Sequence, residues 1–391
     1  MRIAIYAGTF KKDQDGATKT IYRLVHSLLL ARIQVGVWGF SITPQKRRGL
    51  GLVTVPSLPL FLYRDYRVTF PTPRVMRSLR TFAPDLIHIT VPDFVSIAFF
   101  RYARKNRIPV IATYHTRFPA YLKYFKMGFL TRLAWKTAVR FYRRINTVYA
   151  PTEMAAQELS SRGVSNVKIW SRGVEHGRYR PSFRSKELRK RLAGDRRFII
   201  LFSGRLVWYK DVHIFADVYD LYQAYAPGEV QFVLAGDGPA RRTLEKRMPD
   251  AVFTGYLFGR DLSRIYASSD LLLFPSVTES FGNVVHEALA SGIPAVVADQ
   301  GGCQEIIENS GGGLVARSGD ARDFFAKCRL LLENRHLYAE KKRAARRYIK
   351  GRSWESVNRQ LIKDLLELAG RPALPTPMPP RRRPFLEWDW F

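Results

Sequence analysis

Glu279 and Glu287 stand eight residues apart in the segment Glu279-Ser280-Phe281-Gly282-Asn283-Val284-Val285-His286-Glu287. The apolar run Leu271-Leu272-Leu273-Phe274-Pro275 before it reads as a buried parallel strand, and Asn283 to Ala290 as a helix. Glu279 is therefore expected in a strand-to-helix loop, with Glu287 inside the helix. Between them, the helix N-terminus offers backbone N–H groups at Phe281, Gly282 and Asn283, which suit an anion. The carboxylate on each side can accept hydrogen bonds from hydroxyls. A phosphate flanked by two polyols describes a nucleotide sugar. The plain alternative is an acid at a helix start and a second one on the surface.

Two cations strengthen the chemical reading. Arg205 and Lys210 follow the run Phe198-Ile199-Ile200-Leu201-Phe202 in Ser203-Gly204-Arg205-Leu206-Val207-Trp208-Tyr209-Lys210. Cations at the carboxyl end of a strand suit a diphosphate and would stabilise charge growing on a leaving nucleotide. Alone they would read as solvated loop residues; beside the glutamate pair they read as a site. Gly236-Asp237-Gly238 falls short of a dinucleotide fingerprint and is expected as a turn beside the base.

The segment Phe129 to Ile145 has a helical wheel of its own. Arg132, Lys136, Arg140 and Arg143 fall on one stripe, Leu130, Ala134, Thr137, Ala138, Phe141 and Ile145 lie opposite, and Trp135 and Tyr142 line a border. Such a helix either packs on a core with a solvated basic face or meets anionic lipid headgroups. No acidic residue occurs between Asp93 and Glu153, which favours the lipid reading.

The elements that must position these residues form two series. Arg2–Ala7, Val35–Phe40, Leu86–Thr90, Val110–Tyr114 and Thr147–Pro151 alternate with helix-length segments. Phe198–Phe202, Val230–Ala235, Ala251–Thr254, Asp270–Pro275 and Ala295–Ala298 do the same. Strands separated by helices imply βαβ units and parallel sheets, hence an α/β protein of two Rossmann-like domains. The polar, basic stretch Tyr179 to Arg197 is expected as the linker between them. The expected boundaries are an acceptor-binding domain at 1–182 and a nucleotide-sugar domain at 183–352, then a helix at 353–370 and a Pro- and Arg-rich tail at 371–391. With 391 residues and a 46% hydrophobic fraction, the chain can build two separate cores.

Two cysteines, Cys303 and Cys328, exclude a disulfide framework and point to a reducing compartment. The chain opens into a strand without a signal-peptide pattern, and no apolar stretch reaches the roughly 18–20 residues that span a bilayer. A formal charge of +31 points to an anionic partner, a membrane surface or a nucleic acid, or to a host with unusually basic proteins. Nucleic acid is disfavoured, since no helix-turn-helix, zinc-ligand spacing or ribonucleoprotein motif accompanies the charge. The expectation is a cytoplasmic protein, peripheral on the inner face of the cell membrane.

Several of these segments together carry a family resemblance. Glu279 and Glu287, followed by Ala290-Ser291-Gly292-Ile293-Pro294-Ala295-Val296-Val297 and Gly301-Gly302, resemble retaining glycosyltransferases of family 4. So do Gly16, Tyr114-His115-Thr116, Arg172-Gly173-Val174, Gly204-Arg205-Leu206 with Lys210, and Ala235-Gly236-Asp237-Gly238-Pro239, in family order. The stretch Pro56 to Arg67, with Tyr114 to Tyr124, is most similar to members that glycosylate membrane lipids. The resemblance implies the GT-B architecture, two Rossmann-like domains with parallel sheets facing across a cleft. It also implies a hexose moved from a nucleoside diphosphate sugar, GDP-mannose or a UDP-hexose, to a hydroxyl acceptor.

The resemblance further implies catalytic roles for Arg205, Lys210, Glu279 and His115. It places Gly16, Gly204, Gly236, Tyr256, Leu257, Phe281, Gly282, Asn283, Val284 and Glu287 around the donor, with Glu287 on the ribose and Glu279 on the sugar. Where the family usually carries Glu before the lysine, this chain has Tyr209. Asp13-Gln14-Asp15 reads as the Asp-x-Asp of metal-dependent glycosyltransferases, but in a loop of a different fold, so no metal or cofactor is expected. Two other readings stay open: a soluble sugar or polysaccharide acceptor, and an inactive scaffold subunit that only binds nucleotide.

Overall fold

The computed structural model describes residues 1–11, 16–60, 63–115 and 128–372, and the chain divides into two compact units. Asp13, Gln14 and Asp15, most of the stretch Tyr114 to Tyr124, and nearly all of the tail lie outside the described residues.

The first unit comprises Met1–Thr116, Arg132–Ser171 and Glu355–Phe391. Its strands are β1 (Arg2–Phe10), β2 (Gln34–Ile42), β3 (Leu50–Thr54), β4 (Ser57–Leu60), β5 (Tyr63–Thr69), β6 (Leu86–Ile89), β7 (Val110–Thr113), β8 (Thr147–Ala150) and β9 (Val167–Ile169). Seven form one sheet in the order β3-β2-β1-β6-β7-β8-β9, parallel throughout, while β4 and β5 make a separate antiparallel hairpin. The helices are α1 (Gly16–Leu30), α2 (Pro73–Phe82), α3 (Phe94–Lys105), α4 (Thr131–Tyr142) and α5 (Glu153–Ser160). Both faces of the sheet are buried, as a parallel sheet requires. Ile3 and Ile5 point to one core and Ala4 and Tyr6 to the other, the alternation of a strand.

The second unit comprises Arg117–Thr131 and Arg172–Trp354. It holds α6 (Lys186–Ala193), β10 (Phe198–Ser203), α7 (Val212–Tyr225), β11 (Val230–Ala235), α8 (Arg241–Arg247), β12 (Val252–Gly255), α9 (Gly259–Ser268) and β13 (Leu271–Phe274). Next come α10 (Asn283–Ala290), β14 (Ala295–Ala298), α11 (Gly302–Ser310), β15 (Gly313–Ala316), α12 (Ala321–Glu333) and α13 (Arg335–Lys350). The six strands run parallel in the order β12-β11-β10-β13-β14-β15. This is the doubly wound arrangement, in which ligands gather at the carboxyl ends of the strands. The final helix, α14 (Trp354–Leu368), places Leu361, Ile362, Leu365 and Leu366 in the first unit's core beside Ile3, Ile5, Leu24 and Leu28.

All ten strands expected from apolar runs are present, each within a few residues of its expected ends. Edge strands β3, β9 and β15 and the hairpin were not expected, because short edges and a Pro59-containing ribbon lack a buried apolar run. The basic stretch from Tyr179 to Arg197 is more ordered than a linker. Ser185 caps α6 by accepting from Leu188 N at 3.1 Å, and Leu188 and Ala193 join the core.

Candidate active site in the second unit

The candidate site is built at the carboxyl ends of β10, β11 and β13. Lys210 closes a single 3₁₀ turn, Trp208–Lys210, after β10. The next residue, Asp211, adopts a left-handed conformation at φ 53°, and its carboxylate accepts from Val277 N at 3.2 Å. The Thr278 hydroxyl donates to the Tyr209 carbonyl at 3.1 Å. These bonds tie the loop after β10 to the loop after β13, and the second loop carries Glu279. Lys210 and Glu279 consequently meet as a short, charge-assisted ion pair, their side chains 17% and 22% exposed.

The electrostatics of Lys210 follow from two opposed effects. Burial alone would depress its ammonium, but the Glu279 carboxylate outweighs burial and the lysine pKa is raised. The ammonium also sits 5.4 Å from the centre of the Phe274 ring. Glu279 thus supplies the carboxylate that Tyr209 cannot. Arg205 lies in the same loop, exposed, after the half-buried Gly204.

The loop after β13 turns into α10 through Gly282, whose φ of +98° belongs to the left-handed region. A Cβ there would also strike Cys303 Sγ, so both conformation and packing require glycine. No side chain caps α10. Its first amides therefore stay available to an anion, beside the Lys210–Glu279 pair. Gly302 N donates to the Glu279 carbonyl at 2.8 Å, which fixes the loop from the β14 side. Phe281 is buried and Asn283 and Val284 are half-buried. The Cys303 thiol is pushed well up by burial first and by Glu279 second, so it stays protonated.

Glu287 lies one helical turn further along, only 8% exposed. Tyr266 of α9 donates its hydroxyl to Glu287 Oε2 at 3.2 Å. Gly236 follows β11 and bridges to Gly255 at the end of β12; a Cβ on Gly236 would collide with the Gly204 carbonyl. Beyond Gly255, Tyr256 and Phe258 are 53% and 55% exposed and their rings stack with centroids 6.4 Å apart, while Leu257 packs against the core. Sequence reasoning identified the two glutamates, the two cations and the glycines. It missed Tyr266, Asp211 and Thr278, which orient them. Asp211 beside Lys210 carried a weak signal; Tyr266 carried none, because only the fold brings it to Glu287.

In the first unit, Gly16 is the first residue of α1. His115 is 8% exposed, two residues beyond β7, with its ring edge-on to Trp170 at 6.2 Å. The Trp170 indole N–H donates to Asn358 Oδ1 of α14 at 3.2 Å.

Helix α4 presents Arg132, Lys136 and Arg140 to solvent, and none of them forms an ion pair among the described residues. Leu133 beside them is 57% exposed, an apolar contribution the wheel had not singled out. Three expectations need adjusting. Tyr142 is not at a border: it is 4% exposed, edge-on to Tyr114 at 6.1 Å, and belongs to the core. Arg143 is exposed, but its guanidinium donates to the carbonyls of Gly163 and Arg162 at 2.7 and 3.0 Å, so it braces the chain. The half-buried Trp135 ring is covered by the Arg162 guanidinium at 4.0 Å.

The chain matches two family models, "Glycosyltransferase Family 4" over residues 14–178 and "Glycosyl transferases group 1" over residues 197–334. It is 31% identical over 95% of its length to a GDP-mannose-dependent alpha-mannosyltransferase of Mycobacterium tuberculosis, covering 98% of that protein. It is 27% identical over 76% of its length to the alpha-monoglucosyldiacylglycerol synthase of Streptococcus pneumoniae, covering 70% of it. Among solved structures, sucrose-phosphate synthase from Thermosynechococcus elongatus superposes with a TM-score of 0.78 at 16% identity, over 94% of this chain and 99% of that one. The last likeness establishes the GT-B fold.

Proposed function

Because this chain belongs to the family 4, group 1 glycosyltransferases, we propose that it transfers a hexose from a nucleoside diphosphate sugar to a hydroxyl of a membrane lipid or lipid-linked acceptor, with retention. The single observation that carries the reading is the Lys210–Glu279 pair beside the uncapped N-terminus of α10. Relatives named for GDP-mannose and for a diacylglycerol glycolipid support the donor and acceptor classes.

The site residues divide the work as follows. Lys210, Arg205 and the first amides of α10 take the diphosphate, and Gly204 and Gly236 let its backbone cradle approach closely. An arriving diphosphate competes with Glu279 for Lys210; the released carboxylate then accepts from the sugar hydroxyls. Glu287 accepts from the ribose hydroxyls, and Tyr256 and Leu257 border the base. Gly16 and His115 of the first unit serve the phosphate or acceptor and the sugar, respectively. As the glycosidic bond breaks, negative charge grows on the leaving phosphate, where the two cations stabilise it. That phosphate takes the proton of the attacking hydroxyl as the acceptor adds to the same face of the sugar. The basic face of α4 holds the enzyme, as a peripheral cytoplasmic protein, on anionic lipid.

The test offers GDP-mannose and UDP-glucose separately to the protein with diacylglycerol-containing vesicles. Transfer of label to an organic-soluble product in the α configuration is expected with one donor. A water-soluble product only, formed from an added free sugar, would move the reading to a soluble acceptor; no transfer from any nucleotide sugar would refute it.

A further inference from the structure

The second unit carries a basic cavity at the opposite end of its sheet from the candidate site. Asp270 directly precedes β13, whereas Glu279 follows it. Around Asp270 lies a cavity of about 430 Å³ lined by Arg184, Arg197, Arg335 and Lys342, with Phe198, Leu332 and Tyr338 as its remaining wall. Four cations therefore face one carboxylate.

That carboxylate is already saturated. Asp270 Oδ1 accepts from Arg184 at 2.9 Å, and Oδ2 accepts from Arg189 at 2.7 Å and from Ile199 N at 2.9 Å. Arg197 is paired with Glu229 at 3.1 Å. The Tyr338 hydroxyl is spent on the Asp270 carbonyl at 2.8 Å. Arg335 and Lys342 are left with no ion pair among the described residues. The Lys342 ammonium lies 5.4 Å from the Tyr338 ring centre, its pKa lowered by burial first and by Arg184 second.

Cations that outnumber the carboxylate in a concavity favour an anion with several acceptor oxygens. The Phe198 and Leu332 faces add room for a small organic group, and the volume suits a ligand of that size. We propose that this cavity binds a phosphomonoester, with Arg335 and Lys342 on the phosphate and Phe198 and Leu332 against the organic portion. The inference goes beyond the proposed transfer reaction, uses none of its residues, and stands if that reading fails. The phosphate can belong to a free metabolite or to a lipid headgroup.

The probes are glycerol 3-phosphate in solution and vesicles of phosphatidylcholine with phosphatidic acid. Calorimetry at low salt is expected to give saturable binding of at least one probe, weakened tenfold or more in the Arg335→Gln/Lys342→Gln double variant and unchanged in Lys210→Ala. Loss of glycerol 3-phosphate binding in the double variant identifies a free phosphate ligand. A wild-type preference for phosphatidic acid over phosphatidylglycerol vesicles of equal charge that disappears in the double variant, without binding of the soluble probe, identifies a headgroup. Equal binding by wild type and double variant, or none by wild type at millimolar concentration, overturns the proposal. Because the double variant removes crowded like charges, it should melt no lower than wild type. A fall of several degrees would make these side chains structural and would also overturn it.

Discussion

Lys210 is a cation held in place by its counter-ion. It carries its charge into a half-enclosed loop because Glu279 meets it there. The sign of the coupling is definite: a lysine pKa raised above 10.5 stabilises the fold below that pH while Glu279 carries its charge, and loses that contribution as pH climbs past 10.5. In the proposed reaction the lysine faces a phosphate whose charge grows at the transition state. Lys210→Ala is therefore expected to lower kcat/KM tenfold or more, about 1.4 kcal/mol and upward, with kcat carrying the loss. A change confined to the acceptor KM would contradict the role. Glu287 is proposed to work on the ground state instead. It is buried and held by Tyr266, so Glu287→Ala should weaken nucleotide binding by about 1–3 kcal/mol, read as the Kd for GDP or UDP by calorimetry. Wild-type affinity would remove it from the donor site. Both acids were legible in the sequence because a buried strand and a helix start bracket them. The Tyr266 contact to Glu287 was not, since a hydrogen bond between residues 21 apart in sequence leaves no local pattern.

At the scale of elements, the turn into α10 concentrates the strain and the packing of the site. Gly282 combines φ +98° with Cys303 Sγ standing where a Cβ would go, and each alone disfavours a side chain. Gly282→Ala should destabilise the second unit by about 1–3 kcal/mol, read by urea denaturation. Cys303→Ala in the same background should recover only the packing share; full recovery would mean the backbone is unstrained. The other end of the helix turn holds His286, 1% exposed, with Phe281 edge-on at 4.7 Å and Tyr348 at 5.7 Å. Burial first and Arg352 second lower its pKa to about 3, from an ordinary 6.5. The unfolded chain thus binds this proton more readily, so the stability is intact above pH 6.5 and drains as pH falls towards 3, by up to about 1.4 kcal/mol per unit. His286→Leu should flatten the slope of unfolding free energy between pH 6 and 4. An unchanged slope would assign the acid sensitivity to other groups such as His88, also lowered to about 3 by burial. The sheet centres could be read from apolar runs because both faces are buried. The edges β3, β9 and β15 could not, since half-exposed strands of three to five residues lack that signature.

The whole molecule carries a formal charge of +31, far more than one diphosphate requires. Three of those cations, Arg132, Lys136 and Arg140, stand exposed on the first unit's α4 with Leu133 among them. Each basic side chain near an anionic bilayer contributes roughly 1 kcal/mol, and the contribution fades with salt over a Debye length of about 8–10 Å. On the proposed reading, three such residues and one inserted leucine amount to a reversible attachment, which suits a donor arriving from water and an acceptor staying in lipid. The wheel alone would have added Arg143 and Tyr142, but one is engaged with backbone carbonyls and the other is core. Changing either would disturb packing or bracing contacts and confuse the measurement. The informative variant is Arg132→Glu/Lys136→Glu/Arg140→Glu. It should lose co-sedimentation with vesicles containing phosphatidylglycerol while keeping wild-type affinity for nucleotide. In wild type, binding should weaken steadily from 50 to 500 mM salt, and Leu133→Ser should weaken it at every salt concentration. Should the triple variant still pellet with those vesicles, or wild type ignore them at physiological salt, α4 is an ordinary solvated helix and the charge serves another partner.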